Sequence, residues 1–158
     1  MARVEAALNL GGPFADALAE VQEITGTPVP PLLLELAAEG APTLADLRAA
    51  FPDAARAALA ASRQVALPEE ATTMERLTAF LQAQTGARSL APREGDGPDA
   101  VLSRAGAALD AGNLQAALTE MDALPEPGQV AMADWRRLAD IRLAASAAAA
   151  ELSATLGE

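Results

Sequence analysis

The chain has 158 residues, 51% of them apolar but only 3% aromatic, and a formal net charge of −11. Such acidity argues against nucleic acid, whose affinity is built from cationic contacts to phosphate. With no cysteine, histidine, tyrosine or lysine, the chain lacks the means for disulfides and thiol chemistry and the usual catalytic bases and amine nucleophiles.

Alanine dominates the apolar residues, and no alternating run persists, so the composition predicts an all-α fold with closely approaching helices. The length suits one domain, or one plus an appendage. No window reaches an uninterrupted transmembrane length and no signal peptide is visible, so the sequence reads as a soluble chain.

Residues 2–10 predict a short helix that stops at Gly11-Gly12-Pro13. Pro13 suits the first turn of a second helix, in which Phe14, Leu18, Val21 and Ile24 share an inward face and Asp16, Glu20 and Glu23 point outward. Gly26 ends that helix, and Thr27-Pro-Val-Pro-Pro31 is an extended linker. Leu32, Leu33, Leu36 and Ala37 predict a short helix closed by Gly40. Thr43 is the expected N-cap of the next, with Leu44, Leu47 and Phe51 inside, and Pro52 kinks or restarts it before residues 53–62. Residues 64–71 read as loop.

Thr72 with Glu75 makes a capping-box pattern for a helix ending near Gly86. Met74, Leu77, Phe80 and Leu81 fall within one arc of it, opposite Glu75, Ala79, Gln82 and Ala83. Residues 54–93 carry five arginines and three glutamates, a net +2 that leaves −13 for the rest of the chain. This positive stretch brackets an amphipathic helix, which makes Met74, Arg76, Leu77, Phe80 and Leu81 candidates for in-plane contact with anionic lipid. Burial of the same stripe inside the domain is the plainer alternative. Residues 87–97, with Pro92, Gly95 and Gly97, read as the least structured part.

The last third organises the rest. Val101, Leu102, Ala105, Ala108 and Leu109 make one apolar stripe, and Leu114, Ala117, Leu118, Met121 and Leu124 a second. Gly112-Asn113 between them ends one helix and caps the next, so the two form an antiparallel hairpin. After the turn at Pro125-Glu126-Pro127-Gly128, a long last helix carries Trp135, Leu138, Ile141, Ala145, Ala148, Leu152 and Leu156 on one stripe. Leu102, Leu109, Leu114, Leu118, Trp135 and Leu138 are expected in one shared core. Trp135 is weighed as an interface anchor but fits the core better. Arg104 and Arg142 are candidate partner contacts, with pairing to Asp99 or nearby acids at the bundle rim as the plainer reading. Acidic residues are spread on outward faces. The pairs Glu69-Glu70 and Glu94-Gly-Asp96 lack metal-loop spacing, so no metal, cofactor or catalytic residue is expected.

An ordered set of segments resembles the C-terminal domain of the mitofilin family, whose members shape membranes at cristae junctions, and especially its alphaproteobacterial members. These segments are Gly12-Pro13-Phe14, the run from Ala41 to Phe51 (with Pro42 and Thr43), Asp99-Ala-Val-Leu102-Ser-Arg104-Ala, Gly112-Asn-Leu114-Gln-Ala-Ala-Leu118, and Trp135 with Arg142. Gly106 departs from the pattern, where an acidic residue is expected after Arg-Ala. A family member also carries an N-terminal transmembrane helix and a long coiled coil, so this chain looks like the isolated C-terminal domain.

The resemblance implies an anchor in the bacterial inner or intracytoplasmic membrane and a periplasmic position for this domain. It implies a non-enzymatic, membrane-organising scaffold that contacts lipid, accessory contact-site proteins, an outer-membrane β-barrel assembly factor and a second copy of itself. Self-association is expected through Phe14, Leu18 and Leu47. Together these expectations give a small all-α helical bundle: N-terminal helices in 1–66, an amphipathic helix and loop in 67–97, and a core built on the hairpin and last helix in 98–158. A soluble adaptor whose tetratricopeptide-like hairpin grips a peptide or protein is the rival reading, although no internal repeat is present.

Overall fold

The computed structural model describes residues 1–66 and 95–157, and these fold into eight helices with no strand among them. They are α1 (Ala2–Leu10), α2 (Ala15–Thr25), α3 (Pro31–Leu36), α4 (Leu44–Ala66), α5 (Pro98–Asp110), α6 (Leu114–Met121), α7 (Glu126–Ala131) and α8 (Ala133–Leu156). The all-α fold class read from the sequence is therefore observed. The chain divides into two compact units, one of Met1–Ala50 with Asp134–Glu158, the other of Phe51–Ala133.

In the first unit, local chemistry sets the helix ends. Gly11 adopts φ 75°, a left-handed conformation that glycine reaches without strain, and its N–H donates to the Ala7 carbonyl to close α1. The opening amides of α2 have no side-chain cap. The Phe14 and Ala15 N–H groups instead donate to the Ala37 carbonyl, at 2.8 and 3.1 Å, which ties the start of α2 to the end of α3. Pro13 thus precedes α2 rather than opening it.

Gly40 turns the chain at φ 92°, and a β-carbon there would lie 2.4 Å from the Gly11 carbonyl oxygen, so two loops pass with only backbone between them. At α4 the expected cap is present and reciprocal. Thr43 Oγ1 accepts from the Asp46 N–H at 3.0 Å, while Asp46 Oδ2 accepts from the Thr43 N–H at 3.2 Å.

The core of this unit joins Val4 and Leu8 of α1, Phe14 at the cap of α2, Ala17 and Leu18 within it, and Val29 and Leu33 around α3. Ala145, Ala149 and Leu152 of α8 complete it. Alanine at two of those three α8 positions lets the helix come close. On α2 burial stops after Leu18: Val21 is half-buried and Ile24 is 75% exposed, which corrects the four-residue inward face read from the sequence. Trp135, also of this unit, is buried, and its indole N–H donates to the Leu47 carbonyl at 2.9 Å.

The second unit holds the antiparallel hairpin. Gly112 takes φ 83° and Asn113 Oδ1 accepts from the Ala116 N–H at 3.0 Å, so α5 ends and α6 begins as the sequence implied. Val101, Leu102, Ala105 and Leu109 of α5 and Leu114, Leu118 and Met121 of α6 are buried. Pro125-Glu126-Pro127-Gly128, read as a turn, instead opens α7: Pro125 is its N-cap and Pro127 occupies its first turn, where a missing N–H costs nothing. Gly128 is required by packing, since a β-carbon there would sit 2.4 Å from the buried Ser62 Oγ.

Two further expectations are corrected. The helix of residues 44–66 runs through Pro52 and past Gln64, so 64–66 are helix rather than loop. Trp135 and Leu138 fall in the first unit, and Leu102, Leu109, Leu114 and Leu118 in the second. Leu138 is only half-buried. Long apolar stripes specify that a face is covered, not by which neighbour.

Candidate functional site

The residues that carry the family resemblance have mostly structural environments in this fold. In the first unit Phe14 is buried, Thr43 caps α4, and Trp135 is buried and bonded to the Leu47 carbonyl, while Gly12 and Pro42 sit half-buried in the connecting turns. In the second, the Phe51 ring lies 3.2 Å from where a β-carbon on Gly106 would be, so the glycine that departs from the family pattern makes room for that ring. An acidic side chain there would have to displace it. Asp99 lies in the first turn of α5, where a carboxylate meets the positive end of the helix dipole.

Arg104 Nε donates to Glu120 Oε2 at 2.7 Å, fastening α5 to α6, and a second nitrogen donates to the Gly95 carbonyl at 2.7 Å. Both partners of that pair are about a third exposed, and such pairs are worth roughly 0–1 kcal/mol. Leu114 and Leu118 fill the hairpin interior.

Arg142 occupies the most distinctive environment. Its guanidinium donates to the Leu8 carbonyl and, at 2.7 Å, to Asn9 Oδ1, so it closes the last turn of α1 from a position 134 residues away. Burial pushes its pKa below the ordinary arginine value. The bonds go to α1 and not to a carboxylate, which differs from the acidic rim partner expected. A hollow of about 230 Å³ opens beside it, lined also by Glu5, Asn9, Ser146 and Ala149. A second hollow of about 350 Å³ lies by Arg3, Phe14 and Asp16, with Arg3 paired to the exposed Glu20.

Phe14, Leu18 and Leu47, expected to mediate self-association, are 2%, 1% and 1% exposed. They are buried within the chain, Phe14 and Leu18 in the core of the first unit, so in this fold they offer almost no surface to a second copy. The lipid-contact candidates Met74, Arg76, Leu77, Phe80 and Leu81 lie outside the described residues.

Among the described residues no group of three acidic side chains is placed to hold a metal, and no helix is long and apolar enough to cross a membrane. Glu5, Asn9 and Ser146 were not singled out by the sequence reading. Glu5 and Asn9 come beside Arg142 only through the packing of α1 on α8, whereas Ser146 lies one turn along α8 and its hydroxyl donates to the Arg142 carbonyl at 2.9 Å. Compared with family models, curated proteins and solved structures, the chain matches none.

Proposed function

We propose that this chain is a non-catalytic, membrane-organising scaffold domain of the mitofilin type, acting through lipid contact and self-association. One observation carries the reading. The apolar arc of Met74, Leu77, Phe80 and Leu81 lies within residues 54–93, whose net charge is +2, in a chain of net charge −11. An amphipathic helix of that kind binds an anionic surface by burying apolar area, at roughly 25 cal/mol per Å². A smaller electrostatic contribution from Arg63, Arg76 and Arg88 is screened by salt.

The ordered segments resembling the mitofilin C-terminal domain support the same reading. They extend it to a periplasmic position, accessory contact-site proteins and an outer-membrane β-barrel assembly factor as partners. Self-association then uses a surface other than Phe14, Leu18 and Leu47.

Co-sedimentation with anionic vesicles at low salt is the test. The wild-type chain is expected to bind, and Phe80→Glu to abolish binding with helicity and melting temperature nearly unchanged. If Phe80→Glu instead destabilises the fold by several kcal/mol, the stripe is core. Wild-type protein left in the supernatant sinks direct lipid contact. The α5–α6 hairpin favours a second reading, a helical adaptor gripping a peptide, which predicts protein capture that is indifferent to lipid.

A further inference from the structure

The groove between α1 and α8 brings together groups that are far apart in sequence. Glu5, Leu8 and Asn9 share one face of α1, and Arg142, Ser146 and Ala149 share one face of α8. Leu8 and Ala149 are buried and form an apolar floor. Arg142 is held in place by its bonds to the Leu8 carbonyl and Asn9 Oδ1. Because the Asn9 oxygen accepts from Arg142, its amide nitrogen is left to act as a donor. A guanidinium has five N–H donors, so Arg142 retains donors beyond those it spends on α1. Glu5 lines the same hollow, yet the two opposite charges are too far apart to pair.

A fixed cation and amide donor at one place, a carboxylate at another and an apolar floor between them are complementary to a dipolar ligand. We propose that this groove binds a small phosphate–ammonium zwitterion of the phosphoethanolamine type. The phosphate accepts from Arg142 and Asn9, and the ammonium faces Glu5. Beyond Leu8 and alanine the hollow adds only Ser146, whose hydroxyl proton is spent on the Arg142 carbonyl, so it provides little to read an amino-acid side chain. The hollow opens to solvent, so the ligand can be a free compound or the headgroup of a lipid. Arg142 also offsets the negative end of α1, which leaves only part of its charge for a ligand and makes the binding weak. The inference uses none of residues 72–85 and stands apart from the lipid contact proposed above.

The test is a titration of the ¹⁵N-labelled full chain with phosphoethanolamine, followed by amide shifts. Saturable shifts are expected at Asn9, Ser146 and Ala149, with dissociation constants on the order of millimolar. Glu5→Gln should weaken phosphoethanolamine by about two- to fivefold, the range of exposed ion pairs. The same variant should strengthen inorganic phosphate, since the repelling carboxylate is gone. Asn9→Ala should weaken both ligands. A parallel titration with phosphatidylethanolamine vesicles distinguishes the sources: the same amides respond if the headgroup is the ligand, and only the free compound acts if it is not. Absent or scattered shifts would overturn the proposal and leave Arg142 as a cap for α1 alone. If Glu5→Gln changes both affinities in the same direction, the zwitterion reading also falls.

Discussion

At the scale of single residues, the caps do more than their exposure suggests. Thr43 and Asp46 satisfy two otherwise open amides of α4, so Thr43→Ala should cost about 1 kcal/mol in chemical denaturation. The Thr43 hydroxyl, and then its backbone N–H, hold the Asp46 carboxyl below its ordinary pKa. A depressed folded-state value means that the contribution is complete above the unfolded pKa of about 3.9 and is lost as pH falls through the folded value. Wild type and Asp46→Asn should therefore differ in melting temperature at neutral pH and converge in strong acid. The single tryptophan offers a second measurement. Trp135 is 4% exposed and bonded to the Leu47 carbonyl, so its emission should be blue-shifted in the native state and move red on unfolding. Trp135→Phe should lose about 1 kcal/mol, the net worth of a typical buried hydrogen bond.

Between elements, close approach is made possible by missing side chains. Gly128 lets α7 lie against α4 near Ser62, whose hydroxyl donates to the Ala58 carbonyl at 2.7 Å. Gly128→Ala should destabilise the chain by about 1–3 kcal/mol, as other overpacked sites do. Ser62→Ala removes the atom that the new methyl would strike. The double variant should consequently be more stable than the sum of the single effects implies, as measured by a double-mutant cycle. In the hairpin, Leu118 is 3% exposed, and Leu118→Ala should cost about 2–5 kcal/mol. A smaller loss would mean that α5 and α6 collapse around the space.

At the scale of the whole molecule, the last helix counts with the first fifty residues, and the hairpin forms a compact unit with Phe51–Ala133. That grouping runs across the boundaries drawn from sequence order. Sedimentation of the Asn9→Ala and Phe80→Glu variants should match wild type if self-association and ligand contact use separate surfaces, and a changed oligomer in either would link them.

The sequence by itself determined the helical class and most helix ends. Those ends depend on chemistry acting within a few residues. Gly11, Gly26, Gly40 and Gly112 reach positive φ, and Thr43 and Asn113 bond to amides three positions ahead. The course of α4 through Pro52 was not legible, because a proline's cost is local while the packing that outweighs it is not. The face of α8 was only partly legible. Ala145 and Ala149 are buried and Ala144, Ala147 and Ala150 exposed, yet all are the same small side chain, so periodicity had little contrast to read. Only the tertiary structure decided that Arg142 meets Leu8 and Asn9 and shares a hollow with Glu5, since a side chain's type states which partners it accepts but not which distant backbone will arrive beside it.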